Sequence, residues 1–133
     1  MVRRFPFVSL DHALVLARLM TAVFFMAHAI VRITNGSMPR FGGFLEAQGL
    51  PAGETLVWAI TLFEIGAGMC LLIGRQVKLA AAGLMVIVVG GIVLIHRHFG
   101  WFVGEHGTGG AEYSAALLVL LVVVAAADGK QRR

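Results

Sequence analysis

Two charges interrupt apolar stretches of this chain, and both are costly in lipid unless they are paired or have work to do. They are Arg18, in the run 13–31, and Glu64, in the run 55–73. If the two runs are antiparallel helices, Arg18 lies about six residues from their shared edge and Glu64 about nine. At 1.5 Å per residue the depths differ by roughly 4–5 Å. An Arg18–Glu64 contact is therefore expected. Such a pair has two readings: a clamp that fixes helix register, or the polar floor of a ligand site.

A second group gathers at the opposite ends of the runs. His28 lies near the end of the first, His96, Arg97 and His98 end the third, Glu105 and His106 follow, and Glu112 with Tyr113 opens the fourth. Histidine titrates near neutrality and ligates metals, so the group suits proton handling or a polar-ligand pocket. His28 and His96, at similar depth on different helices, also have the placement two axial haem ligands need. With His98 they are the weak metal candidates, since no HExxH or paired-cysteine motif is present. The candidate catalytic residues are Glu64, His96 and Glu112. The candidate pocket adds Arg18, His28 and Tyr113. Trp58, Phe99, Trp101, Phe102 and Tyr113 read first as an aromatic belt at the interface, where a flat quinone ring can also stack. The lone Cys70 cannot form an intrachain disulfide, so any redox role must use a bound cofactor, a quinone or a partner.

The elements that must position these residues follow from composition. The 133 residues are 59% apolar and 14% charged, where a soluble domain carries about 25% charged residues. A soluble enzyme and a disordered chain are set aside. Four runs, 13–31, 55–73, 79–95 and 111–127, approach the ~20 residues that span a bilayer. The expected fold is all-α: one domain over 1–133, a four-helix antiparallel transmembrane bundle. Arg3, Arg4, Arg75, Lys78, Lys130, Arg132 and Arg133 fall on the side of the termini, which places both ends in the cytoplasm. The basic residues thus mark orientation, and no nucleic-acid partner is expected. The N-terminus reads as the flank of a retained helix, because Arg18 breaks the apolar stretch and no clean cleavage site follows.

Between the first two runs, the FGGFLEAQ stretch fits a short amphipathic helix lying on the surface. In GLPAGE, Pro51 fits a helix first turn and Glu54 suits the positive end of its dipole. Gly66, Gly68, Gly83, Gly90 and Gly91 read as close-packing positions between helices.

The ordered set of motifs resembles the DoxX family of small four-helix bacterial membrane proteins, over nearly the whole chain. The resemblance rests on Ala17-Arg18-Leu19, Phe41 with Phe44-Leu45 and Gly49-Leu50-Pro51, Glu64-Ile65-Gly66-Ala67-Gly68 with Leu72 and Gly74, Lys78-Leu79-Ala80-Ala81, and Gly109-Gly110-Ala111-Glu112-Tyr113. His28 and Arg32 depart from it, where Gly or Ser and Lys are more usual. The resemblance implies a bacterial inner-membrane protein associated with oxidoreductases. Relatives include the membrane subunit of a thiosulfate:quinone oxidoreductase and a membrane partner linking thiol and superoxide defence enzymes.

Three functions fit these residues. The first is a redox-linked membrane subunit that holds a quinone or similar apolar ligand, with Arg18 and Glu64 as polar floor and His28, His96 and Glu112 passing protons. Haem or a metal ion is the weaker cofactor alternative. The second is a non-catalytic scaffold that anchors a soluble redox enzyme or joins another membrane subunit. The third is a small-molecule transporter, which would need a homo-oligomer to form a path.

Overall fold

The computed structural model describes residues 5, 7–104 and 109–131. Glu105 and His106 lie outside the described residues, as do Arg3, Arg4, Arg132 and Arg133. The described chain is helical, without a strand: α1 (Leu10–Thr34), α2 (Met38–Ala47), α3 (Gly53–Ile73), α4 (Val77–Leu94) and α5 (Glu112–Gln131), with a 3₁₀ turn at His96–Phe99 between the last two. α1, α3, α4 and α5 are each long and apolar enough to cross a membrane.

These four helices pack as a closed ring. α1 lies against α3, α3 against α4, α4 against α5, and α5 returns to α1. Of the connections in this ring only α3–α4 is a short turn between antiparallel neighbours; α2 lies between α1 and α3, and the 3₁₀ turn lies between α4 and α5. One end of the bundle, here the terminal end, holds the start of α1, the α3–α4 turn and the end of α5. There Lys130 Nζ lies 4.0 Å from Asp11 Oδ1. The other, here the loop end, carries α2, the 3₁₀ turn and residues 100–104 and 109–111.

Local chemistry sets the helix boundaries. Ser9 caps α1 by accepting from the His12 amide at 3.3 Å, and Asp11 sits in the first turn, at the positive end of the dipole. Gly74 ends α3 in the left-handed region at φ +73°, as glycine commonly does. α3 starts at Gly53, so Pro51 precedes it and Glu54 lies in its first turn. Ala52 offers no capping side chain. Glu46 of α2 supplies the acceptor instead, taking the Gly53 amide at 2.9 Å.

The core is graded along the bundle. Ala22, Phe25, Ala67, Leu71, Val77, Ala81, Leu84, Val88, Leu117, Leu121 and Val124 form the main buried cluster. Met38, Leu45 and Val57 form a second one, where α2 closes the loop end. The outward faces are equally apolar: Leu62, Ile73, Leu79, Val86, Val119 and Val122 are exposed. Helices apolar on all sides need lipid around them.

Glycines permit close approaches between helices. A Cβ on Gly68 would strike the Met26 side chain, and one on Gly83 the Phe63 ring. Gly42 and Gly53 bring α2 and α3 into backbone contact, since a Cβ on Gly42 would lie 2.5 Å from the Glu54 amide nitrogen. Gly66 and Gly90 face open space, and Gly91 has only ordinary contact with His96. Close packing therefore explains only part of the glycine content. Gly42→Ala is expected to lower the melting temperature of the purified protein, because backbone must move to admit the methyl. Overpacking of this kind costs about 1–3 kcal/mol. Gly43, next to it, has nothing within 4 Å of an added Cβ. Gly43→Ala is expected to leave melting unchanged or raise it slightly.

Candidate functional site

Glu64 is buried in the middle of α3 and pairs with Arg32, not with Arg18. Arg32 Nη1 donates to Glu64 Oε2 at 2.7 Å. The same nitrogen donates to Thr61 Oγ1 at 2.8 Å, and the Thr61 hydroxyl donates to the Val57 carbonyl at 2.8 Å. Glu64 and Thr61 lie three residues apart on α3 and so share a face. Arg32 reaches them from the last turns of α1. Its guanidinium also sits over the Phe41 ring of α2, 5.5 Å from the centroid, a cation–π distance. One arginine thereby ties α1, α2 and α3 together.

The expected Arg18–Glu64 contact is thus corrected. The guanidinium of Arg18 lies against Gly74, the residue that ends α3. Glu64 is ten residues further along that helix, about 15 Å at the α-helical rise. Depth counted from the edges of apolar runs had placed both charges at a common level. In the structure α1 continues beyond its apolar run at both ends, and Arg32 belongs to the helix rather than its border. Arg18 Nε is buried with no hydrogen-bond partner among the described residues.

Around the pair, a cavity of about 420 Å³ opens between the two core clusters. Its polar side chains are His28, Arg32, Glu64, His96, Tyr113 and Ser114. Phe25, Phe41, Ile60, Leu94 and Leu117 supply much of the apolar wall. The structure thus brings His28, Glu64, His96 and Tyr113 together. Arg18 is not among the lining residues, and neither is Glu112. His28 and Tyr113 put their rings 6.2 Å apart, tilted by 47°. His98 is exposed and outside the cavity. No three His, Cys, Asp or Glu side chains gather as a metal donor set among the described residues.

The loop end is ordered by backbone hydrogen bonds that clasp 100–103 to 110–112. The Gly110 amide donates to Phe102 O at 3.2 Å, Ala111 to Gly100 O at 3.0 Å, and Glu112 to Trp101 O at 2.9 Å. Gly110 leaves no room for a Cβ there, the Phe102 carbonyl oxygen lying 2.5 Å from where it would be. Glu112 Oε1 accepts from the Val103 amide at 3.2 Å. Its carboxylate is a loop staple rather than a lining group. The clasp also seats the Gly109 carbonyl 2.9 Å from His96 Nδ1. A carbonyl can only accept, so Nδ1 is the protonated nitrogen, and in the neutral ring Nε2 carries the lone pair. Nε2 is 4.0 Å from where a Gly91 Cβ would be, and Gly91 also lines the cavity.

Sequence reasoning noted Arg32 only as a departure from the DoxX pattern and missed Thr61 and Ser114. The signal for Arg32 and Thr61 was present: Thr61 shares a helical face with Glu64, and Arg32 is one turn beyond His28. Ser114 carries no pattern that separates it from other small residues in an apolar helix.

The fold and site define a small helical membrane protein whose buried ion pair borders a largely apolar chamber. The chain belongs to the DoxX family, whose sequence model matches residues 13–97. The matched stretch covers α1 to α4 and stops before Gly109–Tyr113. No curated protein and no solved structure matches the chain.

Arg32→Leu alone is expected to destabilise the purified protein by about 3–5 kcal/mol, because Glu64 is left buried without its cation. The double change Arg32→Leu with Glu64→Leu is expected to recover much of that loss in denaturant unfolding. Arg18→Leu combined with Glu64→Leu should show simple additivity, since the two side chains do not touch.

Proposed function

We propose that this DoxX-family chain is a redox-linked membrane component that holds a quinone, or a similarly flat apolar ligand, in the chamber at the loop end. The observation that carries the reading is the chamber's make-up: an apolar volume of about 420 Å³ with a few convergent polar groups. That is the usual composition of a small-molecule site. Arg32 and Glu64 neutralise each other, so the chamber suits a neutral ligand better than an ion. A ligand oxygen meets two kinds of partner. The Arg32 and Tyr113 side chains can donate to a carbonyl, and His96 Nε2 can accept from a hydroxyl.

Both termini are assigned to the cytoplasm on the excess of basic residues at the terminal end, and the membrane to the bacterial inner membrane. The chamber then opens toward the outer leaflet. One cysteine provides no intrachain electron relay, so electrons must pass between the ligand and a partner protein. Residues 1–133 act in this reading as a single domain.

The test is mass spectrometry of lipids extracted from the purified full chain, with titration by a short-chain quinone. The expected result is stoichiometric quinone in the wild type. Gly90 lines the chamber and has nothing within 4 Å of an added Cβ. Gly90→Phe is therefore expected to fill the space and lower quinone content at least tenfold while leaving the melting temperature within a few degrees. A wild type that carries no quinone and binds none would overturn the proposal. A soluble partner recovered in equal amount would then favour the anchor role.

A further inference from the structure

A second cavity, of about 570 Å³, lies beside the first at the loop end. Its lining comes from α1, the α1–α2 turn, α2 and the segment after α4: Arg32, Ser37, Arg40, Phe41, Phe44, Ile95 and Phe99. Two of these seven side chains are arginines and none is acidic. The other walls are mostly aromatic or aliphatic, with Phe44 and Phe99 open to the surroundings. Ser37 Oγ is already turned to the Arg32 carbonyl at 3.2 Å. The charged donors in this cavity are thus the two guanidiniums.

Their charges are not equivalent. Arg32 spends Nη1 on Glu64 and Thr61, and Glu64 neutralises it. Its other N–H groups have no partner among the described residues. Arg40 is exposed and has no acidic partner among the described residues. Among the described residues the cavity therefore offers N–H donors from two guanidiniums but one positive charge without an acidic partner. Guanidinium groups match the geometry of phosphate oxygens. A single net charge matches a phosphodiester, which carries one negative charge, better than a dianionic phosphate monoester. The apolar walls ask for a chain attached to that anion.

We infer that this cavity binds the phosphodiester of an anionic membrane phospholipid, with Arg40 supplying the net charge and Phe41, Phe44, Ile95 and Phe99 receiving the first part of an acyl chain. The site is distinct in chemistry from the neutral chamber and does not depend on a quinone being bound there. A zwitterionic lipid fits worse, because its own cation would face Arg40.

The experiment is native mass spectrometry of the full chain with phosphatidylglycerol or phosphatidylcholine. Phosphatidylglycerol is expected to be retained in preference. Arg40→Glu is expected to lower its retention about tenfold, equivalent to ~1.4 kcal/mol. Arg40→Lys, which keeps the charge and loses the guanidinium fork, is expected to lower retention less than Arg40→Glu does. Arg97 is also exposed at the loop end but does not line the cavity, and Arg97→Glu is expected to change little. Excess inorganic phosphate is expected to displace the lipid poorly, because it lacks the chain. Unchanged retention in Arg40→Glu overturns the site. Equal loss in Arg97→Glu shows diffuse surface attraction and overturns it as well. Ready displacement by inorganic phosphate overturns the role given to the acyl chain.

Discussion

A carboxylate in the middle of an apolar helix constrains everything built around it. Glu64 cannot face lipid, so α3 must turn that side inward, and some other element must bring a cation to the same level. Arg32 does so from the end of α1. Its reach defines how far α1 and α3 slide past each other, and the same guanidinium holds Phe41 of α2. Thr61 joins because it lies one turn from Glu64 and offers an oxygen that would otherwise answer only to its own helix. The pair is therefore a registration device, the best-attested use of buried polar groups, and a polar island within the bundle.

That island divides the bundle into unequal halves. Toward the terminal end, Leu71, Val77, Ala81, Leu84 and Leu121 are fully buried, and the charged groups there, Arg18 and the buried Asp128, sit nearer the helix ends. Toward the loop end, the helices must leave room for a guanidinium, a carboxylate and two imidazoles. α4 stops at Leu94 while α1 continues to Thr34, so the fourth wall of that half is a 3₁₀ turn and a loop rather than a helix. α2 covers the opening, held by the Gly42–Gly53 backbone contact and by Glu46 on the α3 amide. The cavities follow from this mismatch between a tight half and a propped half.

Much of the fold was legible in the sequence because the signal was composition over long windows. Four apolar runs and an amphipathic stretch around Phe41–Leu45 each carry their element with them. His28, Glu64, His96 and Tyr113 were also legible, since a charge or a titratable ring among apolar residues stands out. What was not legible was register. Arg18 and Arg32 stand on the same helix, and only the sliding of α1 against α3 decides which one meets Glu64. The edges of an apolar run are a poor ruler for that, because helices continue past them. Glu112 fails for a different reason. Its role depends on a backbone clasp between 100–103 and 110–112, and no side-chain pattern announces backbone pairing in a loop.

The two cavities at the loop end share Arg32, Phe41 and Ile95. Arg32 is fixed on one edge by Glu64 and Thr61 and on its face by Phe41. A group that draws its remaining N–H donors toward the outer cavity pulls on the same planar guanidinium that closes the inner one. Because the guanidinium is rigid, it cannot satisfy both sides by bending. A ligand at the rim and one in the chamber would therefore meet the same side chain from two sides. Coupling between the two would require each ligand to prefer a different placement of Arg32, since a ligand moves an equilibrium only by its differential affinity.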